Sequence, residues 1–195
     1  MSAKVLRLPR RPGPEPDLSD EALAAAAATG DRAAVGALFD RFQPLVTRYL
    51  ARVIGGGPEV EDLVQATFVV VAKGRSSFDG RSKASTWLLG IATNVARHHR
   101  RAIRRRHRLV ERVTQSEVAR PTGLDEQVDA RRAVAIVEEV LAAQPEERRM
   151  AFVLCEIEGR SARQAAEILS TSETAIWKRV SDTRRALKRA LGNDR

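Results

Sequence analysis

Residues 80–112 constrain the fold most, because one half of this run needs a buried partner and the other half needs a polyanion. The first half has apolar residues at three- and four-residue intervals, which predicts a helix with one apolar face: Trp87, Leu88, Ile91, Ala92 and Val95. In the second half, eight Arg and all three His of the chain stand against one acid, Glu111. This charge density repels itself unless phosphates or acidic groups neutralise it. A solvated basic helix end or a nuclear-type signal is the simpler alternative for the cluster alone.

Composition favours an all-α protein that binds a polyanion. Of the 195 residues, 43% are hydrophobic and only 4% are aromatic, which favours helices over sheets. The formal net charge of +9 makes nucleic acid, an acidic protein surface or anionic lipid the natural partner. No run approaches the roughly 20 apolar residues of a membrane span, and the N-terminus lacks the apolar core of a signal peptide, so a cytoplasmic protein is expected. Cys155 has no cysteine partner, and a buried structural thiol is expected.

The N-terminal part is predicted to hold a tail and three helices before the long basic one. Residues 1–17 are rich in Pro and Arg, which predicts disorder. Ser19 and Asp31 are predicted N-caps of the first two helices, and Gly30 should close the first. Pro44 should kink the second helix.

The third helix carries an acidic face on a basic protein. The glycines at 55–57 should end the second helix, and residues 59–73 should form the third, with its acids pointing outward. A solvated helix face is the alternative explanation for these acids. Residues 74–86 are rich in Gly and Ser and predict a polar loop that leads into the basic helix.

A second small domain is predicted after a linker at residues 113–123. Its first helix should cover residues 125–143, and the next should have Pro145 in its first position and stop at Gly159. Ser161 should then cap a short helix, and a turn at residues 170–172 should lead to a longer one, which together make a helix-turn-helix. The longer helix is expected to expose six cations: Lys178, Arg179, Arg184, Arg185, Lys188 and Arg189.

Four segments in this order resemble the extracytoplasmic-function (ECF) sigma factors, which are compact transcription initiation factors of the bacterial sigma-70 family. GDRAAVGALFDRFQPLVTRYL is similar to the family's opening region, and EDLVQATFVVV to its polymerase-binding helix. STWLLGIATNVARHHRR resembles the promoter-melting helix, and residues 145–187 resemble the C-terminal helix-turn-helix. The resemblance implies sigma region 2 at residues 18–112 and sigma region 4 at residues 124–195.

The resemblance implies a docking site for core RNA polymerase on the third helix. In the family, the D-L-x-Q stretch docks on a basic coiled coil of the polymerase's largest subunit, and the polymerase flap is a further partner. The expected contacts are therefore Asp62, Leu63 and Gln65. Ala66 stands where the family often has Glu, which removes one charge from this contact.

The resemblance also implies two promoter DNA sites. The loop at residues 78–86 and the following helix would bind the melted minus-ten strand through Arg81, Lys83, Asn94, Arg97, Arg100 and Arg101. The helix-turn-helix would bind the minus-thirty-five element through Glu173, Thr174, Lys178, Arg179, Ser181 and Arg184. Trp87 has core spacing and is expected to pack rather than stack on a base. Trp177 and Asp182 stand where relatives commonly carry cations, so the base preference is not readable.

No catalytic site, cofactor or small-molecule substrate is expected. The chain has no Gly-rich phosphate loop and no nucleophile with a base partner, and the histidines lie among cations that disfavour a metal. Two alternatives remain, a dimeric helix-turn-helix repressor and a helical protein that binds RNA or an acidic partner. The resemblance implies instead a promoter-specificity subunit under the control of an anti-sigma protein.

Overall fold

The computed structural model describes residues 18–110 and 128–192, and their side chains over 18–106 and 134–192. The predicted tail and linker lie outside the described residues. Every regular element in the described part is helical, as predicted. The elements are α1 (Asp20–Ala28), α2 (Arg32–Ile54), α3 (Glu59–Ala72), α4 (Ala84–Val110), α5 (Val128–Ala143), α6 (Glu146–Phe152) with a π-helical turn (Val153–Ile157), α7 (Ala162–Leu169) and α8 (Glu173–Ala190).

Capping residues set the bounds of the first helices. The Ser19 hydroxyl accepts a hydrogen bond from the Ala22 amide at 3.2 Å, and the Asp31 carboxylate caps α2. Helix α2 is assigned continuously through Pro44, and it ends where Gly55 takes a left-handed conformation with φ of 95°. The predicted N-caps and the predicted glycine stop are therefore confirmed.

The four N-terminal helices bury their apolar faces against one another. Leu38, Leu50 and Leu88 are fully buried in this core, and each contributes about 1.5–3 kcal/mol by leaving water. The buried Tyr49 hydroxyl lies 2.7 Å from the Thr93 hydroxyl, which joins α2 to α4 inside the core. This packing holds α4 in place, so its basic C-terminal half projects from a rigid base.

Helices α7 and α8 form the predicted helix-turn-helix. Ser161 and Gln164 make a reciprocal capping box at the start of α7. Ser170 turns the chain with a φ of 52°, and the Ser172 hydroxyl accepts from the Ala175 amide to begin α8. Ile176 and Val180 are buried between the helices. The side of α8 opposite these two residues is exposed.

Two predicted boundaries in the chain are wrong, whereas the predicted stop at Gly159 is confirmed. Helix α4 begins at Ala84 rather than after residue 86, because Ala84 and Thr86 are buried in the first turn. Pro145 precedes α6 as its N-cap instead of occupying the first helical position. The helix that follows widens into a π-helical turn before Gly159 ends it with a φ of 63°.

The two domains pack against each other. Helix α4 contacts α7, and α2 contacts both α6 and the π-helical turn. The buried Arg149 of α6 donates to the Val53 carbonyl of α2 at 3.1 Å and to the Ala142 carbonyl of α5 at 2.8 Å. The same apolar cluster contains residues of both domains. This closed arrangement determines which of the predicted DNA-binding side chains are accessible.

Candidate nucleic-acid interface

Helix α3 presents an acidic face beside an apolar groove. Asp62 and Gln65 are exposed, whereas Leu63 is only 6% exposed and supports the helix from the core. In this structure Leu63 therefore cannot make the direct contact with another protein that was expected of it. The groove has a volume of about 370 Å³ and runs between α2 and α3. It is lined by Phe39, Gln43, Thr47, Gly57, Pro58, Val60, Glu61, Val64 and Gln65.

An aromatic pair keeps part of this face apolar. Phe39 is 37% exposed and meets the ring of Phe68 edge-on, with centroids 4.8 Å apart. Val69, which lies one turn after Gln65 on α3, is 46% exposed. The face thus combines carboxylate and amide groups with accessible apolar surface, a composition suited to a protein partner rather than to DNA.

The loop before α4 is tied down by Trp87. The indole N–H donates to the Ser76 hydroxyl at 3.1 Å and to the Ser77 carbonyl at 3.0 Å, and the ring packs against Phe78. These bonds fit the expectation that Trp87 packs within the protein. They also hold the preceding loop, from which Arg81 and Lys83 extend into solvent.

Arg81 is exposed but is already bonded within its loop. Its guanidinium donates to the Asp79 carboxylate at 2.6 Å, and its backbone amide donates to the same group at 3.0 Å. These bonds lower the pKa of Asp79 and raise that of Arg81. Both side chains are open to water, so a phosphate can compete for this guanidinium.

The arginines of α4 fall into two groups. Arg101 is exposed, and Arg100 lines a second groove of about 370 Å³ beside Ile54. Neither has an acidic partner in the described part of the chain. Arg97 is 15% exposed and donates to the Glu147 carboxylate of α6 at 2.9 Å and to the Leu169 carbonyl at 3.2 Å. Arg104 donates to Glu146 at 2.8 Å.

The start of α8 offers an exposed polar face. Glu173, Thr174, Lys178 and Ser181 are all exposed and lie on the side of the helix away from Ile176. In a helix-turn-helix these first turns reach base edges, while later residues meet phosphates. Asn94, the predicted minus-ten residue in the middle of α4, is also exposed.

Two other predicted DNA-binding residues of α8 are engaged within the protein. The side chain of Arg179 is only 25% exposed, in contrast to the prediction, because it faces α6 and lies 3.4 Å from Glu147. Arg184 donates to Glu156 at 2.7 Å and is about half exposed. Arg97 and Arg179 thus meet at one carboxylate, although they come from different domains.

Buried charges hold the closed arrangement together. The Glu158 carboxylate is 1% exposed and accepts hydrogen bonds from Arg48 and Arg52 of α2, at 2.7 and 3.0 Å. The bond to Glu158 raises the pKa of Arg48. Burial lowers the pKa of Arg149 to about 10, with repulsion from Arg100 as a second cause, so Arg149 is still charged at neutral pH.

Sequence reasoning missed these partners. Nothing in the sequence marks Glu146, Glu147 and Glu158 as partners of arginines, since no local spacing connects them with arginines at least forty residues away. The sequence signal for Arg149 was its position among apolar residues of the sequence RRMAFVL. Trp177, exposed on α8, was noted only as a departure from the family pattern.

The described residues contain no candidate metal site. Within them, no group of three or more His, Cys, Asp or Glu residues is arranged to hold a metal ion. Cys155 is half-buried, and burial raises the pKa of its thiol, which favours a structural role. Over residues 18–110 and 128–192, no helix combines the length and apolar character of a bilayer-crossing segment.

The fold and the faces described above define a two-domain helical DNA-binding protein with a C-terminal helix-turn-helix. The family model for sigma-70 region 2 matches residues 38–107, and the model for sigma-70 region 4 matches residues 135–187. The chain therefore belongs to the sigma-70 family of transcription initiation factors, and it is of the ECF type.

Relatives agree with this assignment along most of the chain. It is 28% identical to the ECF RNA polymerase sigma-E factor of Escherichia coli over 181 residues, which cover 87% of this chain and 93% of the relative. It is 29% identical to the RNA polymerase sigma factor CarQ of Myxococcus xanthus over 158 residues, or 80% of this chain and 87% of that protein.

Solved structures share the fold. CnrH in complex with the cytosolic domain of CnrY matches with a TM-score of 0.62 at 28% identity, covering 90% of this chain and 99% of CnrH. The sigma factor RpoE of Bartonella quintana, solved with the anti-sigma factor NepR, matches with a TM-score of 0.63 at 24% identity, covering 82% and 98% of the two chains. Because the identity to RpoE is only 24%, this match shows a shared fold and nothing more.

Proposed function

We propose that this chain directs bacterial core RNA polymerase to specific promoters and melts the minus-ten element. The observation that carries the proposal is the acidic face of α3, where Asp62 and Gln65 are exposed beside a partly apolar groove on a protein of net charge +9. A basic coiled coil of the polymerase is complementary to this face. Leu63, which is buried, would hold the helix rather than touch the polymerase.

The minus-ten strand would bind along the start of α4 and the loop before it. Arg81, Lys83 and Asn94 are exposed there, on a loop that Trp87 keeps in place. Further along α4, Arg100 and Arg101 would hold the backbone of the strand. Extruding a base costs a few kcal/mol, which contacts with the base and the phosphates must offset because no nucleotide is hydrolysed in this step.

The minus-thirty-five duplex would bind the exposed face of α8. Glu173, Thr174, Lys178 and Ser181 would reach base edges in the major groove, and Arg184 would approach the backbone. Arg179 lies beside Glu147 in the closed arrangement, so it would need to leave this acid before it could contact DNA.

The two domains would separate before both elements are bound. Elements centred about 25 base pairs apart lie about 85 Å apart along B-DNA, at about 3.4 Å per base pair. Helices that contact each other, as α4 and α7 do here, cannot reach both elements. We infer that docking on the polymerase opens the closed arrangement and frees Arg97 and Arg179 from Glu147.

An anti-sigma protein would hold this chain inactive by covering the surfaces that polymerase needs. CnrH, which shares the fold over 90% of this chain, was solved with the cytosolic domain of CnrY bound to it. The exposed Phe39 and Val69 on the polymerase-facing side supply apolar surface for such a partner. Binding to polymerase and binding to an anti-sigma protein are both roles of a transcription initiation factor that would work in the cytoplasm and catalyse no reaction itself.

The test is co-elution of the purified full chain with bacterial core RNA polymerase. The charge-reversed variant Asp62→Arg, Gln65→Arg should lose binding while its circular dichroism stays helical. The matched control, Glu21→Arg, reverses an exposed acid of α1 and should still bind. If the wild-type chain binds duplex DNA but not core polymerase, the proposal is wrong and a stand-alone helix-turn-helix repressor becomes the better explanation.

A further inference from the structure

Trp177 is the most exposed of the large apolar side chains in the described part of the chain. It is 58% exposed on α8, and its indole N–H makes no hydrogen bond to a described residue. Trp87 shows the contrasting case, since its indole is half-buried, its ring packs on Phe78 and its N–H is bonded twice. Nothing in the closed arrangement of the two domains requires Trp177 to be aromatic.

Trp177 lies in the middle of the exposed face of α8 that the proposed function places against DNA. Residues four apart on a helix share a face, so Trp177 is in line with Glu173 and Ser181 and next to Thr174 and Lys178. All four neighbours are polar and exposed, while Ile176 and Val180 hold the opposite side in the core. In a helix-turn-helix this part of the second helix enters the major groove.

The surroundings favour DNA over a protein partner. The core of a protein interface is usually a cluster of apolar residues, whereas Trp177 stands alone among polar side chains over the first turns of α8. Lys178, Lys188 and Arg189 are exposed on the same helix and have no acidic partner within the described residues. A polyanion such as DNA neutralises these cations. An acidic protein surface, in contrast, would have to match the spacing of the cations along the whole helix.

The chemistry of indole narrows what Trp177 can read. Its ring has one donor and no acceptor, so it cannot form the bidentate bonds by which Arg or Asn recognise a base. The group in the major groove that suits a flat apolar ring is the C5-methyl group of thymine. A cation at this position would instead favour guanine or a phosphate.

We propose that Trp177 determines specificity by packing on the methyl group of a thymine in the upstream promoter element. This inference rests on the proposed function and adds one base contact to it. Polar contacts to the bases on either side of this thymine come from Glu173, Thr174, Lys178 and Ser181. Trp177 itself selects the methyl group. Because Trp177 is exposed in the free chain, it can do so without rearrangement of its own helix.

The test is a selection of duplexes from a pool randomised in the upstream element. The full chain bound to core polymerase is compared with its Trp177→Ala variant, and the selected sequences are read out. At least one thymine position should be enriched by the wild type and lose its enrichment in the variant. At that position, replacing thymine by uracil removes only the methyl group and should weaken wild-type binding about fourfold, as expected for one buried methyl group. The same replacement should leave binding by Trp177→Ala unchanged.

One control variant and the pattern of outcomes separate this proposal from the function on which it rests. Lys188→Ala, later on the same helix, should weaken binding to all sequences and leave the selected bases unaltered. If the wild type bound to core enriches no sequence, the proposed function itself has failed. If the wild type enriches an element, but Trp177→Ala selects the same bases, or uracil weakens both proteins equally, the thymine contact is wrong and the function stands. If Trp177→Ala no longer binds core polymerase while its circular dichroism stays helical, Trp177 belongs to a protein interface and the thymine contact is wrong.

Discussion

The basic half of α4 and the exposed face of α8 both carry cations, but their surroundings differ. On α4, Arg97 and Arg104 are bonded to Glu147 and Glu146 of the other domain. On α8, the first turns present Lys178 without an acidic partner among the described residues, and the paired cations Arg184 and Arg185 come later. Charge content thus indicates a polyanion partner, whereas the acids that each cation meets in the fold decide whether it is available to that partner. On α4 these acids come from the other domain, and on α8 they come from the same domain.

The largest effect is expected when the buried arginine that joins the two domains is removed. Arg149→Ala leaves the carbonyls of Val53 and Ala142 without their donor, and it should lower the free energy of unfolding by about 2–3 kcal/mol. Urea unfolding followed by circular dichroism measures this loss. The neighbouring Arg148, whose side chain is 43% exposed and pairs with Asp182, is the control, and Arg148→Ala should cost under about 1 kcal/mol. Equal losses would show that Arg149 does not join the domains as described.

A second way is to remove the acid on which the two domains' arginines meet. Glu147→Gln releases Arg97 and Arg179, and the free chain should then bind DNA about fivefold more tightly, since a partly exposed ion pair contributes about 1 kcal/mol or less. Fluorescence anisotropy with a labelled duplex measures the change. Glu21→Gln removes the same charge from α1 and should change affinity far less. A matching gain in both variants would mean that net charge alone is responsible.

The smallest expected effect sharpens the contrast within α4. If Arg101 touches a phosphate, Arg101→Ala should flatten the salt dependence of promoter binding by about one ion. Arg97→Ala should do the same in the polymerase-bound form but not in the free chain, because Glu147 occupies Arg97 there. Binding constants measured across a salt series, with and without core polymerase, test both statements. Identical slopes for both variants in the free chain would contradict the role of Glu147.

The local features of the fold could be predicted because their causes are local. Ser161 and Gln164 cap α7 through residues three apart, and Gly55 ends α2 through its own backbone freedom. The start of α4 was predicted three residues late, since the polar run before Trp87 hides the fact that Ala84 and Thr86 are buried. The π-helical turn has no sequence signature of its own.

The state of the site depends on contacts that the sequence does not reveal. Arg97 reads as a free cation in an arginine run, but in the fold it meets Glu147, fifty residues away. Leu63 was predicted to contact the polymerase as part of a docking motif, but the periodicity of α3 places its side chain in the core. The helix-turn-helix was predicted correctly, while the polymerase-binding and DNA-binding roles of its side chains and of those on α3 and α4 remain predictions.

Pulsed electron paramagnetic resonance can establish whether the two domains separate when polymerase is bound. Spin labels at Ala25→Cys in α1 and Ala143→Cys in α5, both exposed, would be placed in a Cys155→Ala chain. The free chain should give one short, narrow distance distribution, and core polymerase should lengthen it by tens of ångströms. An unchanged distribution in a chain that demonstrably binds core would contradict the opening on which binding to both promoter elements depends.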